Sequence, residues 1–490
     1  MIHSFFLQLA IAHASASLRS SNTVKYEIKD SVFQAQILKG FHFNEKAPNT
    51  VLIDDRPQPI RLLLADKIEF KLSSAPWKKA VATLYVCDDA LTFCEEQTFD
   101  LLGKKRADPQ QYDLLVSSIP AFRSASFSES ARSKAITRDK HNFLLNNFEY
   151  AVKIAKKSKK LVLVDFSADW CPGCIRLDQE VFATKSFREV ASSFVLLKID
   201  TDLPENKGLR ELYQVHHIPV LLILNSEGNE IVRLNDYQPL AVIENQVREL
   251  KKDSSTITEL SAKHPLDPNT ASRLGLRLLA QGNAKAAMFY LEQVAPRPAE
   301  FLDAKVEIAR QAGDNSKLKE ALEAAIKSES DSTRSLRWRK NLIQILKVEN
   351  KSFVKFYQEG RALGKKLLID EKALPIALSN DRLGDYLGYE RLYIATLIAE
   401  LSETAEQSIE TLKADWADVY RIGKSYSMGS SQMGPAMRFL SLLMTQRMWS
   451  EANDFSDRLL ITSPNNSELK RRKVKILKEL VSMKSSKATP

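Results

Sequence analysis

No apolar run in this chain approaches the roughly 20 residues that a membrane-spanning helix needs, so the mature protein is expected not to cross a bilayer. Charge of one sign is also thin: the formal net charge is +10 over 490 residues. The excess sits in short runs such as Lys104-Lys105-Arg106, Lys156-Lys157 with Lys159-Lys160, and Lys470-Arg471-Arg472-Lys473. Such runs read as solvated faces or helix ends, which argues against a nucleic-acid partner. Cysteine is scarce, with four residues that allow three pairings. The opening MIHSFFLQLAIAHASAS has no Lys or Arg, although an apolar stretch from Phe5 to Ala12 leads to small residues at Ala12, Ala14 and Ala16. Residues 1–17 therefore read as a secretory signal, the other readings being a buried first helix or a misplaced start. Export would place the protein in the periplasm or another extracytoplasmic compartment where disulfides persist.

What is present is an ordinary globular composition, 44% hydrophobic and 27% charged, long enough for roughly three domains. Segments VKYEIKD (24–30), VFQAQILK (32–39), IRLLL (60–64), KIEFKL (67–72) and AVATLYVC (80–87) alternate or are β-branched, with turn residues between them. They predict an all-β sandwich over 22–102. Residues 103–140 are rich in Ser, Lys and Arg, with Pro109 and Pro120, and read as a linker. An amphipathic helix is expected over 142–160, then a buried strand LVLVDF (161–166), a helix from Cys174 to Val190, and a strand FVLLKID (194–200). A hairpin VLLIL/EIVRL (220–224, 230–234) around Glu227-Gly228-Asn229 and a helix over 240–251 complete an α/β domain at 141–252. From 258 to 482 the pattern is helix-turn-helix throughout, an all-α solenoid.

The chemistry lies in VLVDFSADWCPGC (162–174). Two cysteines three positions apart at a helix start can close a small ring, with the first sulfur exposed and the second tucked beneath it. Unpaired N–H groups and the positive end of the helix dipole would stabilise a Cys171 thiolate, making Cys171 the nucleophile and Cys174 the resolving thiol. Pro172 suits a first helical position, and Gly173 permits close approach of another backbone.

A buried strand, an acid within it, a Trp and a C-x-x-C opening a helix occur in the order that marks the thioredoxin superfamily, which this stretch resembles. The resemblance implies that Asp165 moves the proton of Cys174, that Trp170 shields the site, and that Pro219 is a cis-proline. Ile218 before it would then offer backbone to a bound peptide. The Pro172-Gly173 pair departs from the family's usual intervening residues, so no redox potential is carried over. No cofactor beyond a redox-active Cys171–Cys174 disulfide is expected. Zinc held by His216, His217 and the two cysteines is set aside, because adjacent side chains diverge.

If Cys171 bonds Cys174, Cys87 and Cys94 remain for each other, as a structural staple or a second redox pair. Their loop LYVCDDALTFCEEQ (84–97) and GFHFNEKAPN (40–49) look like the amino-terminal domain of the DsbD type of thiol:disulfide interchange protein. That family joins an immunoglobulin-like redox domain, a membrane electron carrier and a thioredoxin-like domain. The membrane part is missing here, and no aromatic cap loop over the pair is found. LGLRLLAQGNAKAAMFYLEQVAP (274–296) resembles a tetratricopeptide (TPR) repeat, with Leu274-Gly275, Gly282-Asn283, Ala287 and Pro296 at the expected places, and Gly313 recurs 31 positions on.

The expected architecture is multidomain: an all-β immunoglobulin-like sandwich, an α/β thioredoxin-like fold, then an all-α TPR-like helical solenoid. The expected activity is protein-disulfide reduction or interchange, with protein disulfides as substrates, a separate membrane electron donor, and a protein partner on the TPR-like repeats. An adaptor with a structural thioredoxin-like fold, and a disulfide isomerase or oxidase, are the alternatives.

Overall fold

Along four strands of the first domain, at 32–37, 50–53, 67–71 and 80–88, buried side chains of a shared core alternate with less buried ones. The computed structural model describes residues 24–37, 41–74, 76–88, 93–102, 136–238, 240–251, 253–262, 267–295, 297–298, 300–369, 383–425, 433–464 and 466–487. The expected signal at 1–17, positions 103–135 of the expected linker, and Pro296 lie outside the described residues.

Strands β1 (Val24–Lys29), β2 (Val32–Ile37), β3 (Phe41–Phe43), β4 (Thr50–Ile53), β5 (Arg56–Pro57), β6 (Ile60–Leu63), β7 (Lys67–Lys71), β8 (Ala80–Asp88) and β9 (Cys94–Asp100) follow in chain order. They form two antiparallel sheets, β1-β2-β7-β6 and β9-β8-β4-β5, with β3 also on β8. Asp30-Ser31 and Asp54-Asp55 turn two hairpins with both residues at positive φ, the conformation that two-residue turns require and that Asp tolerates. Phe33 and Ala35 of β2, Ile68 and Phe70 of β7, Val51 and Ile53 of β4, and Ala80, Ala82, Leu84 and Val86 of β8 share one core. Burying a Phe such as Phe33 or Phe70 contributes about 1.5–3 kcal/mol. The period of two leaves Tyr85 and Cys87 on the opposite face of β8.

The second domain is built on a five-stranded sheet in the order β10 (Leu144–Leu145), β12 (Phe194–Asp200), β11 (Leu161–Ser167), β14 (Val220–Leu224), β15 (Glu230–Asn235). Strands β10 and β11 run parallel to β12, and β14 is antiparallel to β11 and β15. The helix expected from 142 starts only at Phe148 (α1, Phe148–Ser158). Asn142 and Asn146 adopt φ of 72° and 53°, Leu144-Leu145 joins the sheet, and Asn147 caps the helix by accepting from Tyr150 N–H. At the end of the expected linker, Arg138 bridges Leu144, and Asp139 accepts from the Phe143 amide at 2.9 Å.

The helix expected over 174–190 is broken. It opens as α2 (Pro172–Arg176), widens into a π-helical turn over Leu177–Phe182, and restarts as α3 (Lys185–Ala191) under a Thr184 cap. The break brings Phe182 and Phe187 onto Phe143, with the Phe182 ring 4.8 Å from each of the others. Helices α4 (Lys207–Leu212) and α5 (Leu240–Leu250) and a two-residue strand β13 (His217–Ile218) complete the domain.

From Ile257 to Lys487 the elements formed by the described residues are all helices. The chain separates into two compact units, the first ending at Ile345 and the second beginning at Leu346. In the first, α6 (Ile257–Ser261) precedes the pair α7 (Pro268–Ala280) and α8 (Ala284–Leu291). Gly282, at φ 83°, turns the chain between them, and Asn283 caps α8; Gly313 and Asp314 repeat the device before the helix Asn315–Ser328. The second unit buries Trp416 and holds an Arg361–Asp415 ion pair at 2.6 Å. No helix among the described residues is long and apolar enough to cross a membrane.

Candidate active site

Cys171 sits at the N-cap of α2 in an extended conformation, with Pro172 at the first helical position. Its Sγ accepts from the Cys174 amide at 3.2 Å, so one of the orphan donors of the helix start points at the sulfur. Cys171 and Cys174 are disulfide-bonded. Gly173 is buried within the same turn. The Ile218–Pro219 peptide is cis, and it joins β13 to β14.

Asp165, in the middle of β11, is 1% exposed, and its Oδ1 has no hydrogen-bond partner among the described residues. Burial pushes its carboxyl up to about 6, although Lys198 pulls the other way. The Lys198 Nζ lies 3.4 Å from Asp165, 2.6 Å from Asp178 and 3.8 Å from Asp139. Burial alone would lower that ammonium, but the three carboxylates raise it on balance. Strand register makes Asp165 and Lys198 direct neighbours on β11 and β12.

The expected exposure of the first sulfur is corrected by the structure: Cys171 is 0% and Cys174 5% exposed. The cover is the first domain. Residues His217 and Ile218 of β13 pair antiparallel with Glu95 and Cys94 of β9, extending the first domain's sheet by a strand from the second. Cys87 and Cys94 are themselves bonded, and they stand directly opposite each other on β8 and β9. Both disulfides, with Ala47, Trp170 and Ile218, belong to one apolar cluster.

The next rung of the same hairpin face is Tyr85 opposite Glu96. Tyr85 meets the Trp170 indole edge to face, ring centroids 5.1 Å apart, and Glu96 accepts from Arg210 at 3.2 Å. Trp170 is anchored in turn by donating to Asp202 at 2.5 Å. Asn44 donates to Cys87 Sγ at 3.4 Å and to the Trp170 carbonyl at 3.0 Å. Asn44, Tyr85, Glu96, Lys198 and Arg210 are site residues that sequence reasoning does not single out. Asn44 and Tyr85 lie inside segments quoted for their resemblance, but only strand parity shows which of those residues face the second domain. His217 is buried with its Nε2 3.4 Å from Asp236, and the described residues hold no group of three or more His, Cys, Asp or Glu that could bind a metal ion.

These features define a thioredoxin-like domain, and a family model described as thioredoxin-like matches residues 144–226. Among curated proteins, the chain is similar to the thiol:disulfide interchange protein DsbD of Haemophilus influenzae (strain PittEE), 25% identical over 104 residues, 21% of this chain and 18% of that protein. The DsbD of Photorhabdus laumondii is 27% identical over 113 residues, 22% of this chain and 20% of the relative. That of Colwellia psychrerythraea is 32% identical over 92 residues, 18% and 15%. The matched stretches thus span about a fifth or less of these relatives. A solved thioredoxin from Thermus thermophilus aligns over 27% of this chain and 99% of its own, at 19% identity and a TM-score of 0.22.

Proposed function

We propose that this protein is an extracytoplasmic thiol–disulfide oxidoreductase in which the Cys171/Cys174 pair reduces the Cys87–Cys94 disulfide of its own first domain, and the first domain then reduces exported protein disulfides. The observation that carries this reading is the pairing of His217-Ile218 with Glu95-Cys94, which seats the first domain's disulfide on the redox helix start. A static staple has no need of that placement.

The Cys171 thiolate attacks Cys94 Sγ; the Cys87–Cys94 bond breaks, a Cys171–Cys94 bond forms, and Cys87 leaves as a thiolate. Asp165 takes the proton of Cys174, whose thiolate attacks Cys171 Sγ. Cys94 is released and takes the proton held by Asp165, and Cys87 takes a proton from solvent, leaving the first pair as a dithiol and the second as a disulfide. Two electrons have moved, and a separate membrane donor restores the Cys171/Cys174 dithiol. Read as a linker, residues 103–140 keep both domains at high effective concentration while the first one meets substrates. The first domain is read as immunoglobulin-like, and the helical repeats as TPR-like, recruiting a protein partner.

In the full chain carrying Cys174→Ser, peptide mapping after mild reduction is expected to find Cys171 bonded to Cys94. A chain in which Cys171 bonds neither Cys94 nor any other protein is an adaptor and not an enzyme. Equilibration with glutathione sets direction: a potential near roughly −270 mV supports a reductase and one near roughly −120 mV an oxidant.

A further inference from the structure

Asn44 has a carboxamide with two N–H donors, and both are committed: one to Cys87 Sγ, the other to the backbone carbonyl of Trp170, immediately before the nucleophile. The orientation of the amide is fixed by its surroundings. Asn44 Oδ1 accepts from the Lys46 amide at 2.9 Å, so the oxygen end is occupied and the nitrogen end must face the sulfur. The backbone is tied as well, with Asn44 N–H donating to the Tyr85 carbonyl at 3.1 Å and its own carbonyl accepting from Asn49 Nδ2 at 2.7 Å. Asn44 is 7% exposed, so the donors work where water competes little.

We propose that Asn44 is a catalytic residue of the exchange: its amide stabilises the Cys87 thiolate that departs when Cys94 is attacked. This rests on the interdomain exchange argued above and deepens it. The register supplies the direction of attack. Cys94 is the residue opposite Ile218, whereas Cys87 lies one strand further from the second domain and holds the amide donor. A disulfide breaks faster toward the sulfur whose thiolate is better stabilised, and an N–H donor lowers the pKa of the sulfur it touches. Bond making and breaking balance without another reactant, because the electron pair of the broken S–S bond stays on Cys87, and the Asn44 amide neither gives up nor takes a proton. The second N–H reports docking: it reaches its acceptor only when Trp170 is in place, so the amide is aligned on the sulfur while the two disulfides are together.

The titratable and charged groups on the elements packed against Cys87 are His42, its direct partner on β3, Asp88 on its own strand, Glu95 and Glu96 on β9, and Arg176 and Arg210 of the second domain. Arg176 interacts with Asp88, and Arg210 with Glu96. All six are retained in the variants that test the idea.

In a full chain keeping Cys87 as its single cysteine (Cys94→Ser, Cys171→Ser, Cys174→Ser), the pH dependence of alkylation gives the Cys87 pKa. Adding Asn44→Ala is expected to raise it by about one unit, and Asn44→Asp by more, since a donor is lost and a negative charge gained. In the Cys174→Ser chain, formation of the Cys171–Cys94 bond is expected to slow about 10- to 100-fold with Asn44→Ala. Circular dichroism of both variants checks that the β domain is folded; should Asn44→Ala unfold it, Asn44→Asp carries the comparison. A Cys87 pKa that is the same with Asn44, Ala and Asp overturns the proposal even where the Cys171–Cys94 bond forms. Failure of that bond to form in the Cys174→Ser parent overturns the interdomain exchange itself, a result separate from the pKa series.

Discussion

Ile218 and Cys94 stand opposite each other in an antiparallel pairing, one residue before a cis-proline and one sulfur of a cross-strand disulfide. The paired segment on the second domain is two residues long, too short to fix its own register. Slippage by one residue would set Ile218 against Phe93 or Glu95 in place of Cys94. What sets the register is the neighbouring rung, where Tyr85 and Glu96 are gripped by Trp170 and Arg210.

Reversing the charge in that grip should therefore separate the domains. The Arg210–Glu96 pair is partly exposed, 24% and 31% at the side chains, so it contributes at most about 1 kcal/mol. Arg210→Glu adds repulsion to that loss, and the Cys171–Cys94 trap in a Cys174→Ser chain is expected to form about tenfold more slowly. Combining it with Glu96→Arg should restore most of the rate. If the double variant is as slow as Arg210→Glu alone, the pair does not position the domains.

The strands of the first domain with clear alternation, at 24–29, 32–37, 60–63, 67–71 and 80–88, stand where the pattern puts them. Strands β3 to β5 are two to four residues long, and β9 reads CEEQTFD, so their apolar signal is weak and the sequence pattern does not reveal them. The C-x-x-C is visible because its chemistry is local. Asn44, Tyr85, Glu96 and Arg210 are not, because their role depends on two hairpin strands and a second domain meeting in one register. A 3.6-residue period continues through Phe143 and Leu144, which draws the expected helix start back to 142, while the left-handed Asn142 and Asn146 that prevent it carry no periodic signal.

Shielding of Cys171 follows from the same docking. With Cys171 0% exposed under the first domain, alkylation of the fully reduced wild-type chain at neutral pH should be slow at Cys171. Arg210→Glu, or salt high enough to screen the pair, should accelerate it several-fold. Mass spectrometry of the 171-containing peptide reads this directly. Equal labelling rates in wild type and Arg210→Glu would mean that the site opens independently of this contact.

Asp165 makes stability depend on pH. Its carboxyl is raised from 3.8 to about 6 by burial, so the folded state binds the proton more tightly than the unfolded chain does. This contribution is fully present below pH ~4 and is lost as pH rises through about 6. Above that, the ionised form costs up to about 3 kcal/mol, since one unit is 1.36 kcal/mol. Asp165→Asn should accordingly stabilise the thioredoxin-like domain at pH 7.5 and change little at pH 4, measured by denaturant-dependent hydrogen exchange of peptides from 161–200. In the same variant the release of Cys94 by Cys174 should slow. A stability gain equal at both pH values would show that ionisation of Asp165 is not the source.

In the helical region, Gly275 of α7 lies against Leu291 and Ala287 of α8. A Cβ at this position would come within 2.5 Å of Leu291 Cγ and 3.1 Å of the Ala287 carbonyl oxygen. Two terms oppose each other in Gly275→Ala: helix propensity gains about 1 kcal/mol, and overpacking against a buried Leu costs about 1–3 kcal/mol. The clash involves a branch-point carbon and a backbone oxygen, neither of which yields easily, so overpacking should win and the helical region should melt several degrees lower. Gly313 tests the other use of glycine. It has φ 67°, and a Cβ added there would meet no atom within 4 Å, so Gly313→Asn, which tolerates the left-handed region, should be nearly neutral while Gly313→Val is not. Thermal melting at 222 nm separates the cases, and a Gly275→Ala chain as stable as wild type would mean that the two helices are not held at this distance.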